Sequence, residues 1–161
     1  MTASKAVEIF EYEIQQFQNE DFKAFVHNAL VDSPKSFYED EKVVQHTKKT
    51  FFLVDEMLKA DEVQGTIRDT ILAGTLLSDI AINEMPNHMK NLHPFAGRVY
   101  LDKAKKDIQI NLFEGVCRII EAHEGDQTPS TVLKPKPGTP EHLVALANRI
   151  ARLETIEIKT R

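Results

Sequence analysis

Apolar residues recur along most of this chain at three- and four-residue spacing, the mark of amphipathic helices. Val7, Ile9, Phe10, Ile14 and Phe17 predict a helix over residues 3–17, with Thr2 or Ser4 as its cap. Gln18-Asn19-Glu20-Asp21 breaks that pattern, and Phe22, Phe25, Val26 and Leu30 carry a second helix up to Asp32-Ser33-Pro34. Val43, Thr47, Thr50, Val54 and Met57 form a core-facing stripe on a long helix over residues 36–58. After the turn Ala60-Asp61-Glu62 the most apolar helix of the chain runs to about residue 83, before Met85-Pro86. A polar connection over residues 84–94 leads to a short helix with Ala96, Val99, Tyr100 and Ala104. Residues 110–122 are strongly helical, and Leu112, Val116, Ile119 and His123 share one face. Gly125, Pro129, Pro135, Pro137 and Gly138 break the chain into a loop, and Thr139-Pro140-Glu141 is a good helix start. There Leu143, Ala147, Ile150 and Glu154 share one face, with Val144, Asn148 and Ala151 beside them.

The expected fold is therefore all-α, a single bundle of five to seven helices. Residues 1–35 read as an N-terminal helical extension, residues 36–154 as the main helical domain and residues 155–161 as a C-terminal tail. Residues 155–161 alternate too weakly to predict more than a frayed or short extended piece. No internal repeat or low-complexity tract interrupts this plan.

Composition narrows the function. A chain of 161 residues can bury a sizeable core. The formal charge of −5 argues against a general nucleic-acid binder but leaves room for a small anion in a local basic pocket. Cys117 is the only cysteine, so no intrachain disulfide can form; a reducing compartment is the simplest reading, and a packed structural thiol the expected role. There is no basic segment followed by an apolar run at the start, and no stretch reaches the roughly 18 apolar residues that span a bilayer. These points predict a cytoplasmic protein with no membrane contact.

The candidate chemistry centres on Asp79. With Leu72 and Leu76 it falls on one helical face, so its carboxylate should turn inward, which is costly unless something pairs with it or coordinates it. His46, His93 and His123 are the best partners. His46 lies at the edge of the stripe of the long helix, and His123 ends an apolar stripe. His27, His88 and His142 have no such context and read as surface residues.

Taken in order, the chain shows His46 in Val43-Val44-Gln45-His46-Thr47, then Leu76-Leu77-Ser78-Asp79-Ile80, then His93-Pro94-Phe95-Ala96-Gly97. Ile119-Ile120-Glu121-Ala122-His123-Glu124 follows, and Leu146-Ala147-Asn148-Arg149-Ile150-Ala151 closes the series. This order resembles the HD superfamily of metal-dependent phosphohydrolases. Its members show a His, a "Leu-Leu-His-Asp-Ile-Gly" segment, often a "His-Pro-x-x-Gly" segment and a further His, and a final "Ala-Asp-Arg". The resemblance covers about residues 36–153. It implies that His46, Asp79, His123 and Asn148 hold a divalent metal ion (Mg, Mn, Co or Ni). It implies that the ion activates water and that a phosphate ester, a nucleotide or similar phosphomonoester, is hydrolysed. The His-Pro histidine, here His93, would complete a second metal site or contact phosphate. Two positions depart from the pattern: Ser78 stands where the family has His, and Asn148 where it has Asp. A serine hydroxyl is a poor substitute for imidazole, and Asn brings a carbonyl oxygen without charge.

Around that centre, Asp79 or Glu124 would orient the water, and Arg98, Arg149, Lys49 and His93 would bind the phosphate. Each has a plainer reading. Asp79 could pair with Arg149 or hydrogen-bond His46 with no metal. His93 could merely begin a helix, Lys48 and Lys49 could lie on a solvated face, and Glu124 could be a helix-end charge. The Lys134-Pro135-Lys136-Pro137-Gly138 loop could cover the pocket or simply connect two helices. Three functions follow: a phosphohydrolase, a catalytically degenerate HD fold that binds a nucleotide or protein partner, or a helical interaction protein. In the third, the first helix would pair with a second copy as a homo-oligomer or cover the bundle.

Overall fold

Four side chains start or tie down the helices that frame the molecule. Asn19 accepts from the backbone N–H groups of Asp21 and Phe22, which opens α3 (Glu20–Val31). Asp40 does the same for Lys42 and Val43 at the head of α5 (Glu41–Ala60). Asn83 donates to Asp40 Oδ2 and to Ser36 O, and this contact chiefly holds the Asp40 carboxyl below its usual range. Thr139 caps α10 (Pro140–Ala151), accepting from His142 N with Pro140 in the first turn.

The computed structural model describes residues 4–128, 134–153, 157–158 and 160, and all regular structure among them is helical. Besides α3, α5 and α10, the chain forms α1 (Lys5–Ile9), α2 (Glu11–Gln15), α4 (Lys35–Tyr38) and α6 (Gly65–Leu76). It then forms α7 (His93–Ala96), α8 (Arg98–Leu101) and α9 (Ile110–Ala122). Short 3₁₀ turns cover Ile82–Glu84, Asn87–Leu92, Ala104–Asp107 and Gly125–Gln127. The all-α reading holds. Thr2, Pro129, Glu154 and Thr155, which entered the sequence reading, lie outside the described residues.

Three predicted helices are shorter than their periodicity suggests. The first breaks at Phe10, whose ring is fully buried and stacks on Phe37 at 5.5 Å, so the chain bends to bring the two rings together. The helix over 36–58 divides at Glu39-Asp40, because Asp40 serves as a cap rather than a helical residue. The most apolar helix stops at Leu76 instead of continuing to residue 83. Beyond it the backbone winds more tightly, with bonds from Ser78 N to Thr75 O, Ile80 N to Leu77 O and Ile82 N to Asp79 O. Ser78 Oγ also donates to Thr75 O, a second donor on a carbonyl at the helix end.

Helix α6 and the turn after it form the centre: every residue from 71 to 81 is buried. It packs between α5 and α9, while α10 crosses α5 and α9 and α3 covers the Ala104–Asp107 turn. Gly74 sets the approach of α6 to α9. A Cβ there would lie 2.6 Å from Ile119 Cγ2 and 2.7 Å from Ile119 Cβ. The N-terminal helices belong to the same core, with Ala6, Phe10, Ile14 and Phe17 all buried. Phe17 meets Phe51 and Phe25 meets Phe113, each at 6.2 Å. The first helices thus cover the bundle.

A buried polar network fastens this N-terminal segment. Asp69, fully buried, accepts from Gln18 N and Asn19 N and from Arg68 Nη1. The Arg68 guanidinium also donates to Gln16 O and to Asp55 on α5. Lys48, expected on a solvated face, is instead buried against Glu13 and over the Phe10 ring. Burial of Glu13 raises its pKa even against the Lys48 ammonium. Cys117 is buried as expected, and burial pushes its thiol up to about 11.

Candidate metal centre

The tight turn after α6 projects Asp79 into the interior, where it is 2 % exposed. Asp79 lies three residues past the end of the helix, so the turn, and not helical spacing alone, gives it the inward orientation expected from Leu72 and Leu76. Two rings meet its Oδ1: His93 Nε2 at 2.9 Å and His123 Nε2 at 3.1 Å. The two Nε2 atoms are themselves 3.1 Å apart. Glu124 Oε1 lies 3.4 Å from His93 Nε2 and 3.3 Å from His123 Nε2. Ligating atoms of Asp79, His93, His123 and Glu124 all fall within 4.8 Å of one another.

Each ring is fixed from behind. His93, first residue of α7, places Nδ1 2.7 Å from Lys90 O; His123, just after α9, places Nδ1 2.6 Å from Ile120 O. A carbonyl only accepts, so both Nδ1 atoms carry hydrogen. In the neutral rings both Nε2 atoms then present lone pairs to the same point. A ring N–H held by a backbone carbonyl is the usual outer support of a metal-ligating histidine. For His123 the bond also satisfies a carbonyl at the end of α9.

The carboxylates set the charge on the His123 ring. Burial opposes ionisation of Asp79, but bonds from His123 and His93 outweigh it and hold the carboxyl well below its usual range. Burial likewise opposes protonation of His123, but Asp79 and Glu124 outweigh it and lift the ring to about 10. Glu124, also opposed by burial, is brought down to about 2 by His123 and by Arg152, whose Nη2 lies 2.9 Å from Oε1. Without an ion, the cluster balances its carboxylates with a protonated ring and a guanidinium.

The donor set fits a divalent cation. Metal bonds of about 2.0–2.1 Å place neighbouring ligand atoms roughly 2.9–3.4 Å apart around one ion. The separation of the two histidine nitrogens and their distances to Asp79 Oδ1 and Glu124 Oε1, 2.9 to 3.4 Å, fall in that interval.

His46 and Asn148, two of the metal candidates, form a separate arrangement beside it. His46 Nε2 is 2.6 Å from Asn148 Oδ1, and Asn148 Nδ2 donates to His123 O at 3.0 Å. The amide oxygen accepts, so His46 Nε2 carries hydrogen and has no lone pair for an ion. It lies 3.7 Å from the second oxygen of Asp79, beyond hydrogen-bond reach. Ser78 turns its hydroxyl to the backbone. The positions where the chain departs from the HD pattern are thus tied up in neutral hydrogen bonds.

The expected phosphate-binding residues scatter. His93 is in the cluster. Arg98 is held by Glu121 at 2.8 Å and Glu114 at 3.0 Å on α9, away from the cluster's hydrogen bonds. Lys49 is half-buried one turn after His46 and makes no ion pair with a described residue. Arg149 is exposed and does not pair with Asp79; it lines a cavity of about 450 Å³ that opens beside Glu124 and Asn148. Pro135 and Pro137 form part of the cavity wall, so the 134–138 loop does border the pocket. Arg152 and His142, absent from the candidates, line it too. Arg152 follows Asn148 by one helical turn, a spacing that could have singled it out. His27 and His88 are exposed as expected.

No family model, no curated protein and no solved structure matches this chain. Among the described residues no helix is long and apolar enough to cross a membrane.

Proposed function

We propose that the chain is an HD-type, metal-dependent phosphohydrolase acting on a nucleotide or similar phosphomonoester. One observation supports this most: two imidazole Nε2 atoms and two carboxylate oxygens converge, with both rings locked from behind by carbonyls. Asp79, His93, His123 and Glu124 would hold the ion. This replaces the set His46, Asp79, His123 and Asn148 implied by the resemblance, and it moves Glu124 from orienting water to ligating. Two imidazoles favour Mn²⁺, Co²⁺ or Ni²⁺ over Mg²⁺, which prefers oxygen. A divalent ion there supplies Lewis acidity, activating water and polarising a phosphoryl oxygen.

The chain's own residues would do the rest. Asp79 keeps its second oxygen turned towards His46, leaving an acceptor beside the ion site. His46, with Nε2–H given to Asn148, is positioned at 19 % side-chain exposure to meet a ligand edge. The adjoining cavity, bordered by Arg149 and Arg152, suits the charge of a phosphate.

The test is metal content of the purified protein, followed by phosphate release from a nucleotide panel with Mn²⁺, Co²⁺, Ni²⁺ or Mg²⁺. Asp79→Ala should abolish both; equal release by wild type and variant would remove the enzymatic reading. The His46–Asn148 bridge favours a second reading, a degenerate HD fold that binds a nucleotide or protein partner without turnover. Stoichiometric metal with no phosphate release from any nucleotide would select it.

A further inference from the structure

Arg152 is the one described cation, histidines apart, bonded to the cluster. Its side chain is 41 % exposed while that of Glu124 is 7 % exposed, so it stands where the buried donors meet the open cavity. Glu124 takes a single Nη2 donor from a group that has five N–H donors in a planar fork. Arg149, three residues earlier on α10, lines the same cavity but makes no hydrogen bond or ion pair with the four converging residues. An anion gripped by Arg149 alone need not sense the ion site. One gripped by Arg152 must, because the same guanidinium sits on the carboxylate oxygen that faces His93 and His123.

We propose that Arg152 is an oxyanion-binding residue that couples the cavity to the cation cluster: cation and oxyanion each tighten binding of the other through the Arg152–Glu124 contact. The proposal rests on the metal reading above. The physical reason is charge. A divalent cation beside Glu124 and a guanidinium on the same oxygen repel each other. An oxyanion on the edge of the guanidinium that meets no described residue cancels that repulsion and offers Arg152 a bidentate partner in exchange for Glu124. Linkage then requires the effect to be reciprocal.

The experiment measures Mn²⁺ uptake by the full chain from the free-ion paramagnetic resonance signal, with and without inorganic phosphate. Wild type, Arg152→Gln, Arg152→Lys and Arg149→Gln are compared. In wild type, phosphate should tighten Mn²⁺ binding about fivefold or more, the lower end of typical coupling. Arg152→Gln should bind Mn²⁺ without phosphate as well as wild type or better, and phosphate should then change its affinity less than twofold. Arg152→Lys should keep part of the coupling, and Arg149→Gln should keep it while needing more phosphate. Undiminished coupling in Arg152→Gln would overturn the proposal. So would tenfold weaker Mn²⁺ binding by that variant without phosphate, which would make Arg152 only a support for Glu124. Absence of Mn²⁺ uptake by wild type would overturn the metal reading itself, whereas uptake without coupling would leave that reading standing and remove this one.

Discussion

Replacing Gly74 by Ala tests the packing that places Asp79 opposite His123. The added methyl would meet Ile119 Cγ2 at 2.6 Å and Ile119 Cβ at 2.7 Å, with Val116 O at 3.2 Å. Rotation about χ1 can move Cγ2, but Cβ is fixed to the backbone of α9. Relief therefore needs α6 and α9 to part by nearly 1 Å, since carbon atoms rest at about 3.5–4.0 Å. Overpacking of this kind costs about 1–3 kcal/mol. Against it stands the helix preference for Ala over Gly, about 1 kcal/mol. The net expectation is a loss of up to about 2 kcal/mol, read from chemical denaturation at fixed pH without metal. Gly115→Ala is the matched control across the same pair of helices. There the new methyl meets only Thr70 Cγ2, at 3.1 Å, the far end of a side chain. That variant should be neutral or gain up to about 1 kcal/mol. A gain in stability in Gly74→Ala, or a larger loss in Gly115→Ala, would refute the argument that Gly74 sets the spacing.

Other expectations follow from the same contacts. Metal must displace the proton that Asp79 and Glu124 hold on His123, raised to about 10, so Mn²⁺ affinity should climb about tenfold per pH unit from pH 6 to 8; a flat profile would mean the ring is already neutral. Because that ring's folded pKa is raised, its contribution to stability is full below about 6.5 and lost as pH rises through about 10. Glu124 is depressed, so its contribution is present above 4.5 and lost as pH falls through about 2. Metal-free protein should therefore weaken towards both extremes, and Glu124→Gln should flatten the acid limb in denaturation midpoints measured across pH. Arg68→Ala would leave Asp55 and Asp69 buried without their guanidinium and should cost about 3–5 kcal/mol; a loss under about 1 would show the network to be slack. Glu62 has φ 58° where Val63 N bonds Leu58 O and Glu62 N bonds Lys59 O, a helix end that favours glycine. Glu62→Gly should raise stability by about 0.5–1 kcal/mol, and a lower thermal midpoint would count against it.

The sequence by itself determined the helical class, the α9 boundaries, the start of α10 and the inward turn of Asp79 and His123. Those rest on local rules: apolar spacing, capping residues and proline positions act within a turn or two of chain. It could not show that α6 stops at Leu76, because apolar spacing continues through a 3₁₀ turn whose residues are just as buried. Nor could it show Lys48 inside, since only tertiary packing brings Glu13 to it. The donor set was likewise decided by tertiary structure. From the sequence Glu124 is expected to orient water and Asn148 to ligate, yet the way α9 ends and α10 packs turns the first towards the histidines and gives the second to His46 and a carbonyl. Residue spacing records what lies along one helix; which atoms meet across five segments depends on how those segments pack.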